Sequence, residues 1–539
     1  MTSKGRASSE ALWTTVVAVL ALAGFGWAHW HTPQCGFVSD DYHLFAMSHS
    51  PSPYHILRTL VLDKGDPTYF RPLIIISSMV DGYLWGYRPA GFHFSNLLIH
   101  LANSILMYLL GICLLGNRRG AVVASAFFLI FPLQPEAVTW ICGRCDLLPT
   151  LFCLSSMLFY WRYRDAGGRP YLLVLCVASG ILGILSKELA VSFPLMLLVM
   201  ELVFFRGAKE KGGKPGSRAA FLLLTIIPLY FCMRWFLLGE VRAALLAVLE
   251  QGIPDRSPFL VIGGLISHVL LNTTVRPLRT IVNPFNTYEV STSWLPVLYG
   301  LMGLVLLVLG VRSGTYRNRA AVFGAVGFAV SLLPVAPIFN VGPDLQNARF
   351  LYAPSLFVCL YLGNLVSAKP GHEATGGYSF VRSVVVLVLG LAMTLGLRQN
   401  NQAWIEAGGA AERILAAFTA ISPQVHAPSK VLIEGLPDNH HGAYVFRNGI
   451  AQAVNLYQGS LPPYRYVPDK NKFIYELSYM TEILPLKVVT PEMLNQWASL
   501  HPVLAALRFD LPSWITPDPA AYDHFLRWDA ASGRFDVRR

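Results

Sequence analysis

Long apolar runs with almost no charge inside them recur along the first four hundred residues. This pattern leaves the chain few ways to fold. A helix needs about 20 mostly apolar residues to cross the hydrocarbon core of a bilayer. Runs of that kind fall at 11–29, 92–115, 120–134, 145–161, 170–186, 189–205, 219–238, 294–311, 319–337, 350–366 and 381–397. The stretch 259–275 is also apolar, but Asn272 and nearby prolines mark it as interfacial or re-entrant. Charged residues make up 14% of the chain, against about 25% in soluble domains. The sequence therefore predicts an α-helical multi-pass membrane protein of about eleven spans, with residues 1–398 as its transmembrane body. The first run follows Lys4 and Arg6 and lacks a small-x-small cleavage site, so it reads as a retained span rather than a signal peptide.

The positive charge fits that topology. The formal net charge is +11. Its Lys and Arg sit in short loops, so it reports membrane orientation and gives no reason to expect a nucleic-acid partner. Lys4 and Arg6, Arg118 and Arg119, Arg162 to Arg169, Arg206 to Arg218, Arg312 to Arg319, and Lys369 with Arg382 occupy alternate loops. These loops are expected to be cytoplasmic. The intervening loops 30–91, 135–144, 187–188, 239–293 and 338–349 hold most of the acids of the membrane half. After residue 398 the apolar runs stop. Residues 399–539 alternate short apolar segments (431–433, 444–446, 487–489) with helix-like ones such as 491–507, and end in a hairpin pattern around Ser532-Gly533. They predict a small soluble α/β domain on the outer, periplasmic face of a cell inner membrane.

Polar residues in the outer loops are the candidates for chemistry. Asp40 and Asp41 follow the first span and are flanked by Phe37, Val38, Leu44 and Phe45, which would hold the acids at the membrane surface. Arg71 precedes an apolar run. His93, Asn96 and His100 recur at i, i+3 and i+7, on one helix face, and are expected to line a wet cavity. Glu136, then Arg144 and Asp146, stand in the second outer loop, and Lys187 with Glu188 forms a polar hinge between two apolar runs. Arg349 lies at the mouth of a late span. Cys142 and Cys145 form a lone CxxC with no second pair to complete a zinc set; a disulfide stays open.

In order, these residues stand in the strings Asp40-Asp41, Arg71-Pro72-Leu73, Gly91-Phe92-His93 to His100, Pro135-Glu136-Ala137-Val138, Gly143-Arg144-Cys145-Asp146-Leu147-Leu148, Ser186-Lys187-Glu188 and Arg349-Phe350-Leu351-Tyr352. As an ordered set over about residues 35–365 they resemble the GT-C superfamily of polyprenyl-phosphate-sugar glycosyltransferases. They are most similar to the transmembrane-and-tetratricopeptide O-mannosyltransferases and their bacterial relatives. The tail differs: it shows no tetratricopeptide repeats.

The resemblance implies an inverting transferase that moves a sugar from a polyprenyl-phosphate donor to a hydroxyl of a protein or glycan acceptor. It implies Asp40 as base, with Asp41 and Glu136 as further catalytic candidates. Arg349, Arg71 and Lys187 are then the donor-phosphate partners, and His93, Asn96, His100, Arg144, Asp146 and Glu188 line the acceptor side. The residues assign no cofactor, and Glu136 and Glu188 are candidates to orient the acceptor, hold Lys187 or bind a divalent cation. A transporter would place its charges near the midplane and show repeats. A non-enzymatic envelope-assembly scaffold is the other alternative.

Overall fold

The computed structural model describes residues 3–48, 71–205, 216–238, 266–312, 314–367, 376–421, 431–450, 453 and 524–538, apart from 87, 268, 290–293, 316–317, 337 and 448. The body is helical. Among the described residues seven helices are long and apolar enough to cross a membrane: Glu10–Gln34, Pro89–Leu115, Ile141–Asp165, Glu188–Phe205, Trp294–Arg312, Ala348–Val366 and Phe380–Ile421. The other four expected runs form shorter helices. Proline accounts for two of the early stops. The helix Arg118–Leu129 ends ahead of Pro132, and Arg319–Leu332 ends ahead of Pro334; proline lacks the N–H that would continue the ladder. Pro170–Ser186 ends where Lys187 turns extended (φ −162°). An apolar helix, Pro72–Trp85, also stands inside the stretch expected to be an outer loop.

The labels used below are α1 (Ser3–Ala28), α2 (Asp41–Ser48), α3 (Pro72–Trp85), α4 (Pro89–Leu115), α5 (Arg118–Leu129), α6 (Pro135–Val138), α7 (Arg144–Asp165) and α8 (Pro170–Ser186). Later in the chain, α9 is Arg319–Leu332, α10 is Tyr352–Ser367 and α11 is Gly376–Ile421. The body core packs α4, α5, α7 and α10 around Met107, Phe127, Phe128, Leu147 and Tyr352. Leu12, Val174, Leu301 and Leu391 stay exposed on the outside, as side chains facing lipid do.

Two ends are distinguishable by their polar contacts. At one end Arg164 pairs with Glu201 at 3.0 Å and Arg319 Nη1 donates to the Phe204 carbonyl at 3.1 Å. Both arginines come from loops expected to be cytoplasmic. The expected outer loops meet at the other end, where a second apolar core joins Phe37, Val38, Tyr42, Phe45, Trp140, Trp404, Tyr444 and Phe446.

α11 runs 46 residues, about 70 Å at 1.5 Å per residue, more than twice the bilayer core. The boundary expected at 398 falls inside this helix, which continues to Ile421. Beyond it, β1 (Val431–Glu434) pairs in parallel with β4 (His524–Asp529), and β4 pairs antiparallel with β5 (Arg534–Arg538). Gly533 takes φ +65° in the β4–β5 turn, the left-handed value glycine tolerates best. A separate ladder joins β2 (Asn439–His440) to β3 (Ala443–Tyr444). The expected segments 487–489 and 491–507 lie outside the described residues.

Candidate functional site

Asp146 is the centre of the polar end. It sits in the first turn of α7, where the helix dipole favours an anion. Its Oδ1 accepts from Lys187 Nζ at 2.7 Å. Its Oδ2 is buried with no hydrogen-bond partner among the described residues. Asp146 also interacts electrostatically with Glu136, Arg349 and Arg71. Four separated chain segments thus converge on the start of one helix.

Glu136 and Arg349 form a buried ion pair at 2.6 Å, and Glu136 Oε2 also accepts the Arg349 backbone N–H at 3.0 Å. Burial pushes the Glu136 carboxyl up, against the opposing pull of Arg349. The Arg349 guanidinium is boxed by rings, with its centre 4.9 Å from Trp140, 5.3 Å from Phe350 and 5.6 Å from Tyr444. Arg71 pairs with Glu188 through two nitrogens, one of them at 3.0 Å. Glu136 and Glu188 are therefore each taken by an arginine.

Arg349 and Asp146 stand among the residues that line a mostly apolar groove, whose other polar members are Thr150, Ser192 and Ser331. Its walls come from α7 (Cys153, Leu154, Met157), from Phe193 and Met196, and from α10 (Leu356, Phe357).

The two first-loop acids differ. Asp41 is 1% exposed, and it ties two backbone turns together: Oδ2 accepts the Val38 N–H at 3.1 Å and Oδ1 the Cys142 N–H at 2.9 Å. Burial pushes its carboxyl up to about 7, with those backbone bonds opposing. Asp40 is half-buried, and its carboxylate accepts no hydrogen bond from the described residues. Ser39 before it takes φ +48°, a strained value that turns Asp40 and Asp41 to different surroundings.

The expected wet-cavity residues are not in an open cavity. His93, Asn96, His100 and Arg144 are 0–1% exposed and packed in protein. His93 Nε2 meets the Cys35 carbonyl at 2.8 Å, and His100 Nδ1 meets the Tyr352 hydroxyl at 2.7 Å. Asn96 donates to the carbonyls of Trp140 and Ile141, both at 3.1 Å, and accepts from Arg144 Nε at 2.8 Å. Arg144 also forms a buried ion pair with Asp81. The same helical spacing serves a wet face and a buried polar seam, and here α4 is covered by neighbouring segments. Cys142 and Cys145 are both free thiols.

Tyr444 was not among the sequence candidates. It lies on β3 of the tail, yet its hydroxyl donates to Glu136 Oε1 at 3.2 Å and accepts from Arg349 Nη1 at 3.0 Å. Ser39 N–H bonds the Val445 carbonyl at 2.8 Å beside it. Gly449, at φ +82°, leaves no space for a Cβ, which would sit 2.2 Å from the Ser39 carbonyl oxygen. The tail is thus seated directly on the first outer loop.

Fold and site define a multi-pass helical membrane protein with an ion-paired, aromatic-walled polar site at one end of its helices. No family model matches the chain. In sequence it is similar to the human protein O-mannosyl-transferase TMTC3, 30% identical over 384 residues, covering 62% of this chain and 41% of that protein. It is 29% identical over 349 residues to human TMTC4, covering 54% and 46%. It is 31% identical over 137 residues to Tmtc1 of Drosophila melanogaster, covering 25% and 16%. The chain thus spans less than half the length of these relatives. Among solved structures, the Archaeoglobus fulgidus oligosaccharyltransferase aligns with a TM-score of 0.47 at 13% identity, over 87% of this chain and 64% of that one. ArnT from Cupriavidus metallidurans aligns at 0.44 and 13%, over 86% and 90%.

Proposed function

We propose that this chain is an inverting membrane glycosyltransferase that moves a sugar from a polyprenyl-phosphate donor to a hydroxyl acceptor on the outer face. The observation that carries this reading is the mostly apolar groove lined by Arg349 and Asp146, which in this reading takes the donor's phosphate at the arginine and its prenyl chain along the apolar walls. Sequence similarity to protein O-mannosyl-transferases supports mannose and a protein hydroxyl as the first substrates to test.

In this reading Asp40 takes the acceptor proton as the acceptor oxygen bonds to the anomeric carbon, while the carbon–oxygen bond to phosphate breaks on the opposite side. The leaving phosphate needs no proton but does need cations for its growing charge. Arg349 supplies a bidentate fork inside its aromatic box. A phosphate arriving there competes with the Glu136 carboxylate for the guanidinium. Lys187 and Arg71 lie nearby, each paired with an acid, Asp146 and Glu188, and add no net charge of their own.

The test is transfer of radiolabelled mannose from synthetic polyprenyl-phosphate mannose to hydroxyl-bearing peptides by purified protein in lipid nanodiscs. Asp40→Asn is expected to lower turnover by ~10²–10⁴-fold, the usual worth of a general base. Undiminished turnover by folded, inserted Asp40→Asn protein would remove Asp40 from the mechanism. Absence of transfer by the wild type with any polyprenyl-phosphate sugar would remove the function.

A further inference from the structure

The turn joining β2 to β3 carries a cluster that the glycosyl-transfer reading does not use. Glu289, His440 and His441 each offer a ligand atom, and these atoms all lie within 4.8 Å of one another. His441 Nδ1 is 2.6 Å from Glu289 Oε1, and His440 Nε2 is 2.8 Å from Glu406 Oε2. The residues come from three separate stretches: the loop after residue 283, α11 and the tail.

The surroundings fix this arrangement in advance. His441 takes φ +48°, a left-handed conformation that a non-glycine residue adopts at a cost. Asn286 Nδ2 holds the His441 carbonyl at 2.8 Å and the Asp344 carbonyl at 3.0 Å. Tyr288 stacks on the His441 ring at 5.3 Å between centroids. Gly442, at φ +89°, is pressed so closely on Asp344 that a Cβ would lie 2.3 Å from its carbonyl oxygen. The backbone is strained to bring two adjacent histidines to the same place.

Charge decides what the cluster suits. The two imidazole centroids are 4.2 Å apart. Imidazole nitrogens are metal ligands, and the two nearby carboxylates carry charge that a divalent cation balances. Zinc takes His nitrogen and carboxylate oxygen at about 2.0–2.2 Å in a tetrahedron, which spaces ligand atoms about 3.3 Å apart. The present ligand atoms lie within 4.8 Å of one another. A carboxylate on the second nitrogen of a metal-bound histidine is the usual way its ring is oriented, and Glu406 stands beside His440 in the position to do this.

We propose that Glu289, His440 and His441, with Glu406 orienting His440, bind one zinc-type divalent cation that clips the tail's β2–β3 turn to the membrane body. This is independent of the glycosyltransferase reading. The ion would lie a few residues along the chain from Tyr444, so it would also steady the hydroxyl that bridges Glu136 and Arg349.

The test uses the full chain in detergent, freed of any affinity tag and stripped with a chelator, and titrated with Co²⁺ and then Zn²⁺. One equivalent of Co²⁺ is expected to give the intense visible bands of a tetrahedral site, and Zn²⁺ to bleach them. Glu406→Gln is expected to weaken Zn²⁺ binding by ~10–100-fold. Glu289→Gln keeps side-chain size and is expected to lose the tetrahedral spectrum, as is the double variant His440→Ala/His441→Ala, each with an unchanged elution profile and far-UV circular dichroism. No stoichiometric Co²⁺ or Zn²⁺ binding by the wild type at micromolar protein overturns the proposal. So does binding that Glu289→Gln and the double histidine variant leave unchanged.

Discussion

Arg349 makes contacts that a lysine cannot copy. Its guanidinium meets Glu136 and the Tyr444 hydroxyl while lying against the Trp140 and Phe350 rings. Lysine keeps the charge but has no planar fork to stack or bind two oxygens. Arg349→Lys is accordingly expected to cut transfer by ~10-fold or more, through a weaker hold on donor phosphate, read as a raised KM for the lipid donor. Tyr444→Phe removes one hydroxyl between two charged partners and should leave the fold intact while lowering turnover several-fold. Asp41 predicts a pH effect of definite sign. Its folded carboxyl lies near 7 because it is buried, above the ~3.9 of an unfolded aspartate. The unfolded chain therefore releases this proton first, and stability falls as pH rises from about 4 to about 7. Thermal unfolding in detergent should show that slope in the wild type and lose part of it in Asp41→Asn. An identical slope in both would count against the assignment.

At the scale of elements, the seam between α3, α4 and α7 depends on a buried charge pair. Arg144 is fully buried, and its side chain reaches Asp81 on α3 and Asn96 on α4. Removing one member of such a pair leaves the other charge buried alone, typically at 3–5 kcal/mol. Arg144→Met should thus destabilise sharply, and Arg144→Met/Asp81→Leu should recover much of the loss; unfolding midpoints in detergent measure both. The turn between α6 and α7 depends on a missing side chain. A Cβ on Gly143 would lie 2.4 Å from the Glu136 carbonyl oxygen and 2.5 Å from that of Ala137. Gly143→Ala must therefore push α6 away from the start of α7, separating Glu136 from Asp146, and is expected to abolish transfer.

Across the whole molecule, basic loops gather at one end and the polar site at the other. Single cysteines placed at Arg118 and at His440 in a background without native cysteines are expected to react with membrane-impermeant maleimide from opposite sides of the bilayer. Labelling of both from one side would overturn the topology. The tail belongs to the site in this arrangement. Gly449→Ala, whose Cβ would strike the Ser39 carbonyl, is expected to lift β3 from the first outer loop and lower transfer with the helical body still folded, as seen by near-normal elution and helicity.

The sequence by itself determined the solvent of this protein and the list of its polar residues. Charge-poor apolar runs have nowhere to be satisfied but lipid, and Asp40, Glu136, Asp146, Lys187, Glu188 and Arg349 were legible because charge is costly beside a membrane. Helix length was less legible. Apolar composition marks a run as buried, while a proline inside it decides where the backbone ladder stops, so the expected spans 120–134 and 319–337 end early, at Leu129 and Leu332. Only tertiary structure decided which polar residue faces which. The i, i+3, i+7 face of His93, Asn96 and His100 reads the same whether it meets water or protein. Asp40 and Asp41 are adjacent in sequence, yet one is bound by two backbone amides and the other is not. Tyr444 and the His440–His441 turn gained their roles from a tail that folds back some three hundred residues to meet Glu136, and contacts that distant leave no periodicity in a sequence.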